Sequence, residues 1–112
     1  MGVTKKEFER IREYVYDVEE YVTVNYFEKD DSIEKDYLDL YESLIDSQLI
    51  LLTYELLAKK MKSAEDIDKR SKKLWDLVCE QAKHYTFQGM HDGYHVYKRD
   101  DKIVRPCKVK ES

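Results

Sequence analysis

The sequence predicts a mainly α fold of the α+β class: an antiparallel three-helix unit with a long central helix, followed by a C-terminal β-hairpin or three-strand meander. Three observations lead there. Long stretches repeat apolar residues at the three-and-four spacing of a helical face. Breakers are scarce, with one Pro and three Gly in 112 residues, which favours long helices over many strands. Past Tyr85 the period changes, and Asp92-Gly93 stands where a two-residue type I′ hairpin turn wants it. A chain of this length reads as one domain, 1–112, with no internal repeat.

The first helix, about 5–26, opens on a capping box. Thr4 can accept from the Glu7 amide while Glu7 reaches back to the Thr4 amide. Phe8, Ile11, Val15, Val18 and Val22 then follow at heptad spacing. The β-branched run Val22-Thr23-Val24 weakens its end. Residues 28–32 carry no apolar position and read as a loop.

The central helix, about 32–62, is introduced by a second box, Asp31 with Glu34. Its seam reads Ile33, Tyr37, Leu40, Leu44, Leu51, Tyr54, Ala58 and Met61, with Ser47 interrupting. From Leu44 to Leu57 apolar residues sit nearly all round, so neighbours are expected on every side. Ser63 with Asp66 looks like a third box into a helix at about 64–85, whose inner face is Ile67, Leu74, Leu77, Val78, Ala82 and Tyr85.

The last segment, about 86–110, alternates as strands do. Tyr94 to Tyr97 and Ile103-Val104 flank a second turn at Arg99 to Lys102, and Pro106 makes the final stretch an edge strand. A continuous helix from Ser32 to Lys62 would be about 46 Å long, against about 33 Å for either neighbour. Its apolar overhang therefore needs a cover unless the helix breaks near Ser43 or Ser47. The chain's own hairpin is the first expectation, and a homodimer the second.

The net charge of −4 hides an asymmetry. Residues 7–46 hold fourteen acids against four bases, whereas residues 55–112 hold ten acids against fourteen bases. The N-terminus is charged from Lys5 onward, and Lys6 breaks the myristoylation pattern. The longest aliphatic run, Leu49 to Leu52, is too short to span a bilayer. Two cysteines without a secretion signal read as free thiols, so a cytoplasmic location without membrane attachment is expected.

Ligand-type residues gather late in the chain: Cys79, His84, His91, His95 and Cys107. A zinc-stabilised adaptor is one reading of them. The spacings match no standard zinc module, and His91 and His95 straddle a turn, so no metal or other cofactor is expected. The His residues are instead expected on a polar sheet face. Asp76, Glu80 and His84 form an i, i+4 stripe, without a nucleophile elbow, a phosphate loop or an HExxH motif. Catalysis is not expected.

Basic stretches lie at Lys59 to Lys62, Lys69 to Lys73 and Lys98 to Lys110. With Tyr94 and Tyr97 the hairpin could act as a nucleic-acid-binding module, although interspersed acids weaken such a field. The acidic half is the more unusual feature. Glu9, Glu13, Asp17 and Glu20 stack along one side of the first helix, and Asp39, Glu42 and Asp46 form a second row. Tyr14, Tyr16, Tyr21 and Tyr41 lie among them, offering contact area with a polar tip. Either the Lys-rich third helix neutralises these rows, or they are kept for a partner.

The leading expectation is a non-catalytic protein-protein interaction protein. It would present the surface Glu9, Glu13, Tyr14, Tyr16, Asp17, Glu20, Tyr21, Asp39, Glu42 and Asp46 to a basic partner, such as the basic face of a nucleic-acid-binding protein. In charge and size alone it resembles small phage or mobile-element inhibitors of the anti-restriction or anti-CRISPR type. Direct nucleic-acid binding through the hairpin is the alternative.

Overall fold

The computed structural model describes residues 3–61 and 66–100 with their side chains, and the backbone of residues 107–110. Three helices are followed by an antiparallel hairpin: α1 (Lys5–Val22), α2 (Leu38–Lys59), α3 (Ile67–Ala82), β1 (Tyr85–His91) and β2 (Tyr94–Arg99). A short third strand, β3 (Cys107–Lys110), pairs antiparallel along the other edge of β2. Each helix packs on the other two.

The Thr4–Glu7 box is present in both directions, at 3.1 and 3.0 Å. Ile11, Tyr14, Val18 and Val22 are buried along the inner face of α1, while Phe8 stays largely exposed. At the β-branched run the α-helix stops, and the chain winds on as a π-helical turn, Thr23–Phe27. That wider turn brings both Tyr26 and Phe27 against the Trp75 ring, at 6.4 and 6.0 Å between centroids. Tyr41 reaches the same ring at 5.8 Å, closing an aromatic cluster between α1, α2 and α3.

The entry to α2 differs from expectation. The Asp31–Glu34 box does not form. Asp30 instead accepts from the Ser32 amide at 3.0 Å, an Asx turn that competes with helix initiation. A single 3₁₀ turn, Lys35–Tyr37, then leads into a helix of 22 residues, about 33 Å rather than 46 Å long. Left-handed Lys60 and Met61 end it, with the Met61 amide donating to the Leu56 carbonyl at 2.9 Å. At α3 the helix cap is Asp66, whose side chain accepts from the Lys69 amide at 3.1 Å. Ser63 lies outside the described residues.

Only part of the expected α2 seam is covered: Leu40 and Met61 are buried, and Ile33, Tyr37 and Leu44 pack half-buried against the core. Ile45, Leu49, Leu52 and Leu56 are buried against α1 and α3, whereas Leu51 and Tyr54 are 58 % and 66 % exposed and Ala58 is exposed too. On a helix that is apolar all round, two stripes satisfy the three-and-four spacing. Packing selects the one that meets its neighbours. In α3 the inner face is Ser71, Leu74, Trp75, Val78 and Ala82, with Leu77 turned outward. Tyr85 is not helical and begins β1. Arg70, itself buried, donates to the Glu55 carboxylate and ties α3 to α2. Burial pushes the Glu55 carboxyl up, but Arg70, with help from Lys59, holds it net below the usual range.

The hairpin turn forms at Asp92-Gly93, with φ of 52° and 80°, as a type I′ turn requires. A second irregularity, between Phe87 and Met90, is a bulge at left-handed Gly89. Ile103-Val104, most of the second turn and Pro106 lie outside the described residues. The sheet docks on the start of α2. Tyr97 is fully buried with Leu40 and Ala82 beneath it, and its hydroxyl donates to the Asp36 carbonyl at 2.6 Å. The Phe87 amide donates to the Tyr37 hydroxyl at 2.9 Å. The hairpin therefore covers the first part of α2.

Candidate functional site

The α1 row is built by helical spacing alone. Glu9, Glu13, Asp17 and Glu20 all stand exposed on the outer side of a helix whose opposite side is in the core. Among the described residues none of the four forms an ion pair with α3, although α3 packs on α1. Two of the cations of α3 are engaged elsewhere. Arg70 pairs with Glu55, and Lys72 with Asp76 on its own helix at 3.1 Å. Where α3 does reach the α1 face, it brings another acid. Asp68 accepts from the Tyr26 hydroxyl at 3.1 Å, and its hydrogen bond to Tyr21 raises that phenol's pKa.

The tyrosines divide. Tyr16 is 57 % exposed beside the row, with the Arg12 guanidinium 5.8 Å from its ring centre. Tyr21 is half-buried, and with Asp17, Glu20, Val24, Asn25 and Ile67 it lines a shallow depression. Tyr14 is buried in the core and leaves the candidate surface. Tyr41 is half-buried in the aromatic cluster.

The second row does not hold together as a surface. Asp39 is buried, and one of its carboxylate oxygens lies 2.7 Å from Nδ1 of His95 on β2. This carboxylate belongs to the joint between hairpin and helix. Glu42 and Asp46 remain exposed. The Glu42 carboxyl is pushed up, first by partial burial and then by Asp39 and Asp46 nearby. A sequence reading could not separate Asp39 from its neighbours, because its partner is 56 residues away.

The other candidates disperse. His95 faces α2 rather than a polar sheet surface, and His91 is exposed beside the turn. Cys79 is a free, half-buried thiol, its pKa raised by burial and by Asp30 and Asp76. Among the described residues no three His, Cys, Asp or Glu side chains converge on a point that could hold a metal ion. The Cys107 side chain lies outside the described residues. Asp76 and Glu80 pair with Lys72 and Lys83, and His84 falls beyond the end of α3. For a nucleic-acid reading of the hairpin, Tyr97 is lost to the core and Arg99 lies 5.6 Å over the Tyr85 ring, so among the described residues Tyr94 and Lys98 stand exposed, and the basic side chains beyond Asp100 lie outside them. Among the described residues no helix is long and apolar enough to cross a membrane.

No protein-family model, no curated protein and no solved structure matches this chain.

Proposed function

We propose that this chain is a non-catalytic interaction protein that presents the outer face of α1 to a basic protein surface. The contact residues are Glu9, Glu13, Tyr16, Asp17 and Glu20, with Tyr21 at the edge. One observation carries the reading: four exposed carboxylates stack along one helix face and, among the described residues, none of them is ion-paired with the helix packed beside it, where Arg70 and Lys72 are committed to Glu55 and Asp76. Like charges three and four residues apart each weaken a helix by roughly 0.2–0.5 kcal/mol. A row with no ion pair to α3 among the described residues is suited to cations arriving on a partner. Exposed Tyr16 adds rigid contact area at the centre of the row.

A surface of this charge fits proteins that bind nucleic acid, whose own basic face the row would occupy as phosphates do. The reading thus includes an inhibitor acting by occupation, of the kind found in phage or mobile elements, in an intracellular setting. Affinity capture with the immobilised chain tests it. The expected catch is basic, nucleic-acid-binding protein that salt or added nucleic acid displaces and that a Glu13→Lys/Asp17→Lys chain fails to hold. Equal capture by the charge-reversed chain would refute the reading.

A further inference from the structure

The outer face of α1 runs down into a concavity where the helix changes its winding. Asp17, Glu20, Tyr21, Val24 and Asn25 recur at three and four residues and so share one side of the chain. Ile67, at the start of α3, closes the shallow depression that they line. At this junction the Glu28 amide donates to the Thr23 carbonyl at 2.9 Å, the longer reach of a π turn. The Asn25 side-chain amide donates to the Tyr21 carbonyl at 3.2 Å, which fixes Asn25 beside the ring it flanks. The Tyr21 hydroxyl is hydrogen-bonded to Asp68, which ties that ring to α3. The depression thus combines a held phenol ring, two apolar side chains and, at its rim, the exposed carboxylates of Asp17 and Glu20.

This combination suits one kind of cation better than others. A guanidinium is planar, weakly hydrated and forked, so it can lie on an aromatic ring while its N–H groups reach carboxylates. Its aliphatic stem would run along Val24 and Ile67. A lysine ammonium is a compact, strongly hydrated point charge, and it cannot lie flat on the ring and fork to two acids at once. A metal ion is poorly served, because among the described residues no three His, Cys, Asp or Glu side chains converge. The chain already makes the same pairing within itself. The Arg12 guanidinium lies 5.8 Å from the Tyr16 ring centre, and that of Arg99 lies 5.6 Å from the Tyr85 ring centre. Tyr21 has no such cation among the described residues, although Asp17 and Glu20 line its depression and Asp68 holds its hydroxyl. Arginine is also among the side chains that most often anchor a protein interface in a pocket.

We propose that this depression receives an arginine side chain of the basic partner, stacked on Tyr21 and paired with Asp17 and Glu20. The inference rests on the reading of α1 as a partner surface and names the residue that anchors the partner there. Two blocked tripeptides of equal charge, with a central arginine or a central lysine between glycines, test it by NMR titration of the full chain. The arginine peptide should shift the amides of residues 17–25 and bind roughly two- to fivefold more tightly than the lysine peptide, the worth of a ring contact at an exposed site. Tyr21→Phe keeps the ring and should keep the preference. Tyr21→Leu should bring the two peptides to equal affinity while the helical circular dichroism holds. Asp17→Asn with Glu20→Gln, both exposed positions, should weaken both peptides alike. Equal binding by the parent, shifts confined to other residues, or a preference that survives Tyr21→Leu overturns the proposal. If the parent shows no preference yet captures basic protein that the Glu13→Lys/Asp17→Lys chain does not, the anchor is wrong and the reading of α1 stands. If the preference is present but both chains capture equally, the reading of α1 fails and the arginine site remains.

Discussion

His95 Nδ1 and an Asp39 carboxylate oxygen lie 2.7 Å apart, joining the middle strand of the sheet to the first turn of α2. The contact sits beside two further polar links, Tyr97 to the Asp36 carbonyl and the Phe87 amide to Tyr37. Together they fix the hairpin on the helix with directional bonds around a small apolar patch of Leu40, Ala82 and Tyr97. Hydrogen bonds to a charged group contribute roughly 1.5–3 kcal/mol. His95→Ala is therefore expected to destabilise the protein by about that amount, and His95→Gln, which keeps a donor, by less. Urea unfolding measures the loss, and amide exchange should show it concentrated in β1 and β2. A uniform change in exchange across all three helices would mean that the contact does not serve the joint.

A second expectation contrasts two leucines on α2. Leu49 is buried and Leu51 is 58 % exposed. Leu49→Ala should cost about 2–5 kcal/mol, the range for emptying a core position, whereas Leu51→Ala should cost under about 1 kcal/mol. Thermal unfolding of dilute, monomeric protein checks the pair. A reversal of the two values would place the core on the other side of the helix.

That contrast also shows what the sequence could and could not reveal. The Thr4–Glu7 cap and the Asp92-Gly93 turn were legible because each rests on residues three or fewer apart. The three helices and the sheet followed from periodicity. The phase of α2 did not, because its apolar residues form two acceptable stripes. The stripe through Leu40, Leu51 and Tyr54 is real, but it lies on the outer side, where the hairpin covers only Leu40. Trp75 was overlooked on the inner face of α3, though its place one residue after Leu74 and four before Cys79 is compatible with that face. Of the candidate surface, Glu9, Glu13, Asp17 and Glu20 were legible as a row. The burial of Tyr14 and Asp39 was not, since it depends on neighbours distant in sequence.

The third expectation concerns alkaline pH. Burial, then the Asp39 charge, pushes the Tyr97 phenol up to about 12. In the unfolded chain a tyrosine titrates near 10. The folded state thus holds its proton longer, so the contribution is fully present below about pH 10 and is lost as pH rises through about 12. Stability should fall across that window, with a slope from this residue approaching about 1.4 kcal/mol per pH unit. Tyr21, Tyr26 and Tyr41, also raised, act in the same direction. Tyr97→Phe should remove part of the slope while lowering stability at neutral pH by about 0.5–1.5 kcal/mol through the lost bond to Asp36. An unchanged alkaline slope in the Phe variant would show that Tyr97 does not titrate on unfolding.

The last expectation ties stability to the α1 surface. Glu9, Glu13, Asp17 and Glu20 stand exposed along one helix face, and the nearby acid of α3, Asp68, adds to their charge. Replacing Glu13 and Asp17 by Lys should turn i, i+4 and i, i+3 repulsions with Glu9 and Glu20 into attractions. Each such change is worth roughly 0.2–0.5 kcal/mol, so the variant should melt slightly later at low salt. The gain should shrink as salt rises, because exposed charges are screened beyond about 8–10 Å at ordinary ionic strength. Partner binding should move the other way, chiefly through slower and less salt-dependent association, since peripheral charges steer encounter more than they set dissociation. Were the row paired within the fold, the same substitutions would instead lower the melting temperature and leave binding intact. Calorimetry at two salt concentrations, with association kinetics on a captured partner, separates these outcomes. A variant that melts earlier yet binds normally would sink the proposed role of α1.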